Sequence, residues 1–146
     1  MDTKWIEPTV RALSHSQIFH GLEAPALEAL VQVSERVEVP AGRPILERDG
    51  RVPGLFLLVE GSAQVLKGGM PVTVMGRGSF FGEISLFGVS FAATADVVAK
   101  DKAVCIVLTK TALETWGKKH PQAERMFLYR MCTELSRRLY ATSEKL

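Results

Sequence analysis

Apolar residues recur at helical spacing near the start of the chain. Between residues 22 and 33 their spacing is close to the helical period of about 3.6. Pro25 suits the first turn of that helix, where its missing N–H costs nothing. A shorter helix is predicted over about residues 9–16, with Thr9 as its cap after Pro8.

The same spacing returns after Leu108. Thr109 or Thr111 caps a predicted short helix that ends near Gly117. A longer helix is predicted over 121–139, and its apolar residues recur every three to five positions: Ala123, Met126, Phe127, Met131, Leu135 and Leu139.

Residues 36–108 follow a different pattern. Short β-rich runs are separated by Gly and Pro, and they cover 37–40, 45–47, 55–60, 63–67, 72–75, 92–99 and 103–108. Many short strands at intervals of about eight to twelve residues predict an all-β sandwich, roll or barrel. No helix-sized pattern lies between the runs, which argues against a parallel α/β sheet.

Composition places the chain among ordinary globular domains. Its 146 residues predict one domain, with a helical segment at 1–35, a β segment at 36–108 and helices at 109–146. The net charge of +2 gives no argument for nucleic acid or membrane. No stretch approaches the roughly 18 apolar residues of a membrane span, and residues 1–10 lack the apolar region of a signal peptide. A cytoplasmic protein is expected, with Cys105 and Cys132 as reduced, partly buried thiols.

The segment that carries chemistry is 76–87, followed by 90–94. Its glycines at 76, 78 and 82 do not have the dinucleotide-binding spacing. We interpret 82–87 as one helical turn between strands, whose N–H groups form an anion site that Gly82 lets an anion approach closely. Glu83 would repel phosphate, so its carboxylate is useful as an acceptor for a sugar hydroxyl. Amides for a phosphate and a carboxylate for a sugar indicate a nucleotide; the alternative is a buried turn in which Glu83 pairs with an arginine.

The order of these pieces resembles the cyclic-nucleotide-binding domain family, which includes the catabolite activator protein sensory domain and the regulatory subunits of cyclic-AMP-dependent kinase. The resemblance covers about residues 18–139 and rests on the motifs at 18–22, 40–45, 50, 55–62, 76–83 and 92–94. It implies a mainly β fold with flanking helices. The β part would be an eight-stranded antiparallel β-roll, also described as a jelly roll or double-stranded β-helix. The resemblance also implies N-terminal helices, a long C-terminal helix that moves on ligand binding, and a phosphate-binding cassette between two strands.

The site residues carry over one by one. The first half of the family's cassette matches Phe81, Gly82, Glu83, Ile84, Ser85 and Leu86, and the end of its second half matches Ala92, Ala93 and Thr94. The resemblance implies that the amides of the first half hold the cyclic phosphate and that Glu83 holds the ribose 2′-hydroxyl.

Phe91 is the departure from the family, because it stands where an arginine should pair with the phosphate. A charge-assisted contact of that kind is worth about 1.5–3 kcal/mol. Arg77 reaches the site only if its strand turns inward. Ala92 stands where some cyclic-GMP-selective members of the family carry Thr, so nothing here favours cyclic GMP, and cyclic AMP is the expected ligand.

Enzyme chemistry has no support in the sequence. His15, His20 and His120 lie outside the predicted strands and lack the spacing of metal ligands, so a metal-dependent jelly-roll enzyme is not expected. Cys105 has no histidine nearby in sequence to activate it. No catalytic residue, metal or cofactor is predicted.

Two functional hypotheses remain open at this stage. The first is a non-catalytic sensory domain that binds a cyclic nucleotide, weakened by Phe91. The second is a degenerate domain that has lost ligand binding, with Phe91 filling the phosphate side of the pocket, and that serves as a dimerisation or protein-interaction module. The 121–139 helix packs on the roll, forms a homodimer seam, or does both on different faces, while Arg137 and Arg138 are interpreted as a solvated face. No helix-turn-helix follows that helix in the sequence, so direct DNA binding is not expected, and output would pass to an unknown protein partner or a second copy.

Overall fold

The computed structural model describes residues 4–144 as two packed four-stranded sheets with helices against one of them. The elements in chain order are α1 (Ile6–Ser14), α2 (Ala24–Gln32), β1 (Glu35–Val39), β2 (Pro44–Leu46), β3 (Leu55–Glu60), β4 (Ala63–Lys67), β5 (Met70–Met75), β6 (Phe80–Phe81), a 3-10 helix (Glu83–Phe87), β7 (Asp96–Ala99), β8 (Ala103–Leu108), α3 (Lys110–Lys119) and α4 (Pro121–Glu144). The mainly β fold with flanking helices is confirmed.

The strands pair antiparallel throughout. One sheet has the order β1-β8-β3-β6 and the other β2-β7-β4-β5. Strand β8 is buried along its whole length because it has a core on each face. Ile106 and Leu108 pack with the helices, whereas Cys105 and Val107 pack between the two sheets. This two-sided burial explains the continuous apolar run at 103–108.

The helical layer is fastened to the first sheet by aromatic contacts. Phe127 of α4 stacks on Phe19 with ring centroids 5.0 Å apart, and the edge of Trp116 meets Phe127 at 6.3 Å. The Trp116 Nε1–H donates a buried hydrogen bond of 2.9 Å to the carbonyl of Ala26. These contacts hold α2, α3 and α4 as one layer.

Several predicted boundaries shift. Thr9 is not a cap: α1 begins at Ile6, and the Thr9 hydroxyl donates to the Trp5 carbonyl from inside the helix. Pro8 therefore falls in the first turn, which tolerates proline. The helix predicted at 22–33 runs from 24 to 32, and α4 extends past 139 to Glu144. Of the alternative caps, Thr109 is the one used, since its Oγ1 accepts from the Ala112 N–H at 3.1 Å.

Only the second half of the strand predicted at 92–99 forms a regular strand. Its regular part is β7, while residues 91–93 bond instead to the turn before β3, with Ala93 N–H on the Gly50 carbonyl at 2.8 Å. Opposite this interruption Asp49 has a positive φ of 68°, and the Asp96 carboxylate accepts the Arg48 N–H at 2.8 Å. Strand β6 was not predicted, because two residues are too short to show an alternating pattern.

The two cysteines differ in environment. Cys105 is buried, and desolvation raises the pKa of its thiol to about 12. Cys132 is exposed on α4, so the expectation that it is partly buried is wrong. Its neighbour Met131 lies on another face of the helix and is buried.

Candidate ligand-binding site

The predicted cassette begins at Phe81, the last residue of β6. Phe80 and Phe81 pair with Leu57 and Phe56 of β3, so they point to opposite faces of the sheet. Phe81 stacks on Phe56 between the sheets, with centroids 5.1 Å apart, while Phe80 joins the core under the helices. This alternation fixes where the following turn leaves the sheet.

Gly82 makes the turn from β6 into the 3-10 helix. It has a left-handed φ of 82°, and a Cβ there would lie 2.6 Å from the Gly54 carbonyl oxygen. Its own carbonyl accepts the Ser85 N–H at 3.2 Å and the Ser85 hydroxyl at 2.7 Å. Leu86 anchors the far side of the turn in the core. The backbone of the turn is therefore fixed independently of any ligand.

Replacing Gly82 by alanine should destabilise the fold by about 2–4 kcal/mol, because the left-handed backbone costs about 1 kcal/mol and the contact with Gly54 about 1–3 kcal/mol. Gly88 is the matched control. It has a similar φ of 72°, but a Cβ there meets nothing within 4 Å. Gly88→Ala should cost only about 1 kcal/mol. Urea unfolding of the two variants measures the difference, and equal losses would contradict the close approach to Gly54.

The cassette borders one cavity of about 630 Å³, within the usual size range of small-molecule sites. All eight predicted ligand-binding residues line it: Phe81, Gly82, Glu83, Ile84, Ser85, Ala92, Ala93 and Thr94. Strands β4 and β5 form another wall, and Arg138, Ala141 and Thr142 of α4 complete the lining. The structure thus brings the two halves of the predicted cassette together around a common space.

Phe91 does not fill this cavity. Its neighbours Ser90 and Ala92 line the cavity, but Phe91 is absent from the lining and 58% exposed. Its carbonyl accepts the Val52 N–H at 2.8 Å, which turns this stretch of backbone toward residues 49–52. The idea that Phe91 fills the phosphate side of the pocket is therefore wrong. Arg77 is also exposed and outside the lining.

Glu83 pairs with an arginine, as the alternative interpretation expected, but the sequence did not indicate that this arginine is Arg138. Arg138 comes from α4 and donates through Nη1 to Glu83 Oε1 at 3.1 Å and through Nη2 to the Phe80 carbonyl at 3.0 Å. Its guanidinium carbon lies 4.0 Å from the centroid of the Phe80 ring, within cation–π range. The side chain of Arg138 is 46% exposed, as expected for a solvated face, but its guanidinium also contacts the cassette, which that interpretation did not include. Arg137 points elsewhere and bonds to the buried Glu134.

A signal for this placement was present in the sequence. Phe127, Met131, Arg138 and Thr142 recur at helical spacings, so a helix that buries the first two also turns the others toward the roll. The lining of the cavity includes Arg138, Thr142 and, from β4, Lys67. The charged groups around the cavity are therefore two cations and one carboxylate, Glu83.

The described residues were also compared with the requirements of a metal site and of a membrane span. Within residues 4–144 no group of His, Cys, Asp and Glu is arranged to hold a metal ion. In the same part of the chain no helix is long and apolar enough to cross a bilayer.

Comparison with known proteins agrees with this geometry. The family model described as "Cyclic nucleotide-binding domain" matches residues 36–120, more than half of the chain. The chain belongs to the cyclic nucleotide-binding domain family. It is 25% identical over 140 residues to a CRP-like cAMP-activated global transcriptional regulator of Mycobacterium tuberculosis; the match covers 92% of this chain and 60% of that protein.

Solved structures show the same fold. A cyclic nucleotide-binding domain from Methylobacillus flagellatus superimposes with a TM-score of 0.80 at 19% identity, covering 98% of this chain and 83% of that one. The catabolite activator protein of Thermus thermophilus gives a TM-score of 0.76 at 23% identity, with 89% and 61% covered.

Proposed function

We propose that the chain is a cytoplasmic, non-catalytic sensory domain that binds a cyclic nucleotide, cyclic AMP in preference to cyclic GMP, in the cavity beside the cassette. The observation that carries the proposal is the shared cavity: both cassette halves, Glu83 and two cations line one space of suitable size. Ala92, rather than a threonine, supports the preference for cyclic AMP.

The phosphate charge is balanced in this proposal by Arg138 and Lys67 instead of an arginine at position 91. Arg138 is already held at the cassette by Glu83 and the Phe80 carbonyl. A guanidinium has five N–H donors, so these two bonds leave others for a phosphate oxygen. Glu83 in turn bonds to Arg138 through Oε1 only, which leaves Oε2 to accept a ribose hydroxyl.

The signal passes through α4, which carries Arg138. A ligand that contacts Arg138 stabilises the state in which α4 lies on the cassette, and it shifts the population only by its preference for that state. Output then goes to a second copy or to a protein partner.

Ligand-dependent unfolding tests the proposal. Cyclic AMP at about a hundred times its Kd should raise the free energy of unfolding by roughly 2.7 kcal/mol. The 2′-deoxy analogue should stabilise less at the same concentration, because it offers no hydroxyl to Glu83. Equal unfolding midpoints with and without saturating cyclic AMP would contradict the proposal.

A second candidate function is supported by the Arg138–Glu83 contact itself. Because this contact holds α4 on the cassette, a cyclic-nucleotide-binding fold that has lost its ligand can remain closed and act as a dimerisation or protein-interaction module. The two candidates differ in whether cyclic AMP changes the protein's stability.

We also propose a homodimer through α4. The helix buries Phe127 and Met131 against the roll, whereas Leu139 and Tyr140 on another face are each 69% exposed. Leu128 and the exposed Cys132 lie on the same side as Leu139, because the steps of four and seven residues between them keep to one face of a helix, as a seam requires.

Cross-linking tests this seam. If two copies pair in parallel about α4, mild oxidation should join Cys132 to its equivalent and give a disulfide-linked dimer on a non-reducing gel. Cys132→Ser should abolish the dimer band, while Cys105→Ser should leave it unchanged because the Cys105 thiol is buried and its pKa is raised to about 12. Leu139→Lys should give a monomer in sedimentation, and a wild-type monomer at high concentration would contradict the seam.

A further inference from the structure

His20 connects the start of the chain to α4. It lies in the turn between α1 and α2, next to Phe19, which is fully buried and stacked on Phe127. The His20 Nε2 atom is 2.7 Å from Nη1 of Arg130, one turn further along α4. The contact joins residues that are 110 positions apart in the sequence.

The contact between His20 and Arg130 depends on the protonation state of His20. A guanidinium can only donate, so the contact is a hydrogen bond only when Nε2 is the acceptor nitrogen of a neutral imidazole. A protonated imidazole has donors on both nitrogens and carries a charge of the same sign as Arg130. Protonation of His20 therefore replaces a hydrogen bond with repulsion.

The groups around Arg130 offer its guanidinium few hydrogen bonds or ion pairs that could replace the contact with His20. Its Nε is buried and has no hydrogen-bond partner among the described residues. Over residues 4–144 neither Arg130 nor His20 takes part in an ion pair. Gly21 lets the guanidinium lie close to the backbone, because a Cβ there would be 3.0 Å from Nη2.

The other titratable groups near the His20–Arg130 contact line an adjoining cavity of about 380 Å³. Glu23, the N-cap of α2, and His120, the C-cap of α3, line that cavity with Gly21 and Met126. The ring of His120 lies 6.2 Å from Trp116, so it belongs to the α3 side of the junction.

We propose that the His20–Arg130 contact is a pH-sensitive fastening of α4. With His20 neutral, Arg130 is held and α4 stays docked on the turn between α1 and α2. With His20 protonated, the contact is lost and α4 opens more often. Since α4 also carries Arg138 to the cassette, acidification loosens the helix that completes the lining of the ligand cavity.

Amide hydrogen exchange of α4 at about pH 8 and about pH 5.5, on either side of the usual histidine range, tests this fastening. After correction for intrinsic exchange rates, wild-type protection around Arg130 should fall about threefold to tenfold at the lower pH, the effect of one net hydrogen bond. His20→Gln supplies an acceptor that does not titrate, so its protection should change little between the two conditions. His20→Ala should show the low protection at both.

The two remaining histidines are the controls. His15→Gln and His120→Gln should keep the wild-type fall in protection. The proposal is overturned if His20→Gln shows the same fall as wild type, or if His20→Ala is as protected as wild type at the higher pH. This readout needs no ligand, so its failure is distinct from a failure of cyclic AMP binding.

Discussion

Replacing Arg138 by methionine should weaken cyclic AMP binding about tenfold to a hundredfold, the worth of a charge-assisted hydrogen bond of about 1.5–3 kcal/mol. Methionine keeps the apolar length of the side chain against Phe80 but removes the donors to Glu83 and the Phe80 carbonyl. The free energy of unfolding should fall by less than about 1 kcal/mol, because the ion pair is partly exposed. Calorimetry measures the affinity and urea unfolding the stability.

Arg125→Met is the matched control. Arg125 is an exposed residue of the same helix and does not line the cavity, so its loss should leave the affinity for cyclic AMP unchanged. If both variants lose affinity equally, the effect is one of net charge. Unchanged affinity in Arg138→Met would show that Arg138 does not contribute to cyclic AMP binding.

Phe91→Arg should strengthen cyclic AMP binding about tenfold to a hundredfold, by adding the charge-assisted phosphate contact that this sequence lacks. Position 91 lies between two cavity-lining residues, Ser90 and Ala92, so an arginine there starts at the rim of the site. Phe91 is largely exposed, and its loss should change stability by no more than about 0.5 kcal/mol.

A double-mutant cycle of Phe91→Arg and Arg138→Met separates the effect of charge on affinity from the effect of side-chain shape. Phe91→Arg should restore most of the affinity that Arg138→Met loses, because either arginine can balance the phosphate. Phe91→Met, which is neutral, should bind as wild type does. If Phe91→Arg binds no more tightly than Phe91→Met, the phosphate does not lie within reach of position 91.

The sequence predicted the roll well where turn residues bound a strand closely. Strands β3, β4 and β8 have the predicted bounds, since glycine or another turn signal stands at their ends. Strand β6 and the break before β7 escaped prediction because backbone pairing with β3 and with residues 49–51 decides them. Such long-range pairing leaves little trace in local composition.

The candidate site likewise contains residues that could be predicted from local sequence and one residue that could not. Residues close together in sequence, such as Gly82, Glu83 and Ser85, were identified from their motif, and the structure places them on one cavity. Arg138 was missed because its role depends on how α4 docks, and that docking is fixed by Phe127 and Met131 in a core formed with distant residues. Local sequence showed only an arginine pair on a helix.

A calorimetric titration of the wild-type chain with cyclic AMP, and with cyclic GMP for comparison, decides whether the cavity binds a cyclic nucleotide. We expect saturable binding of one cyclic AMP per chain, with a Kd on the order of micromolar, and weaker binding of cyclic GMP. Folded protein that binds neither nucleotide at about millimolar concentration would contradict this expectation, and would leave the interaction module as the function of this fold.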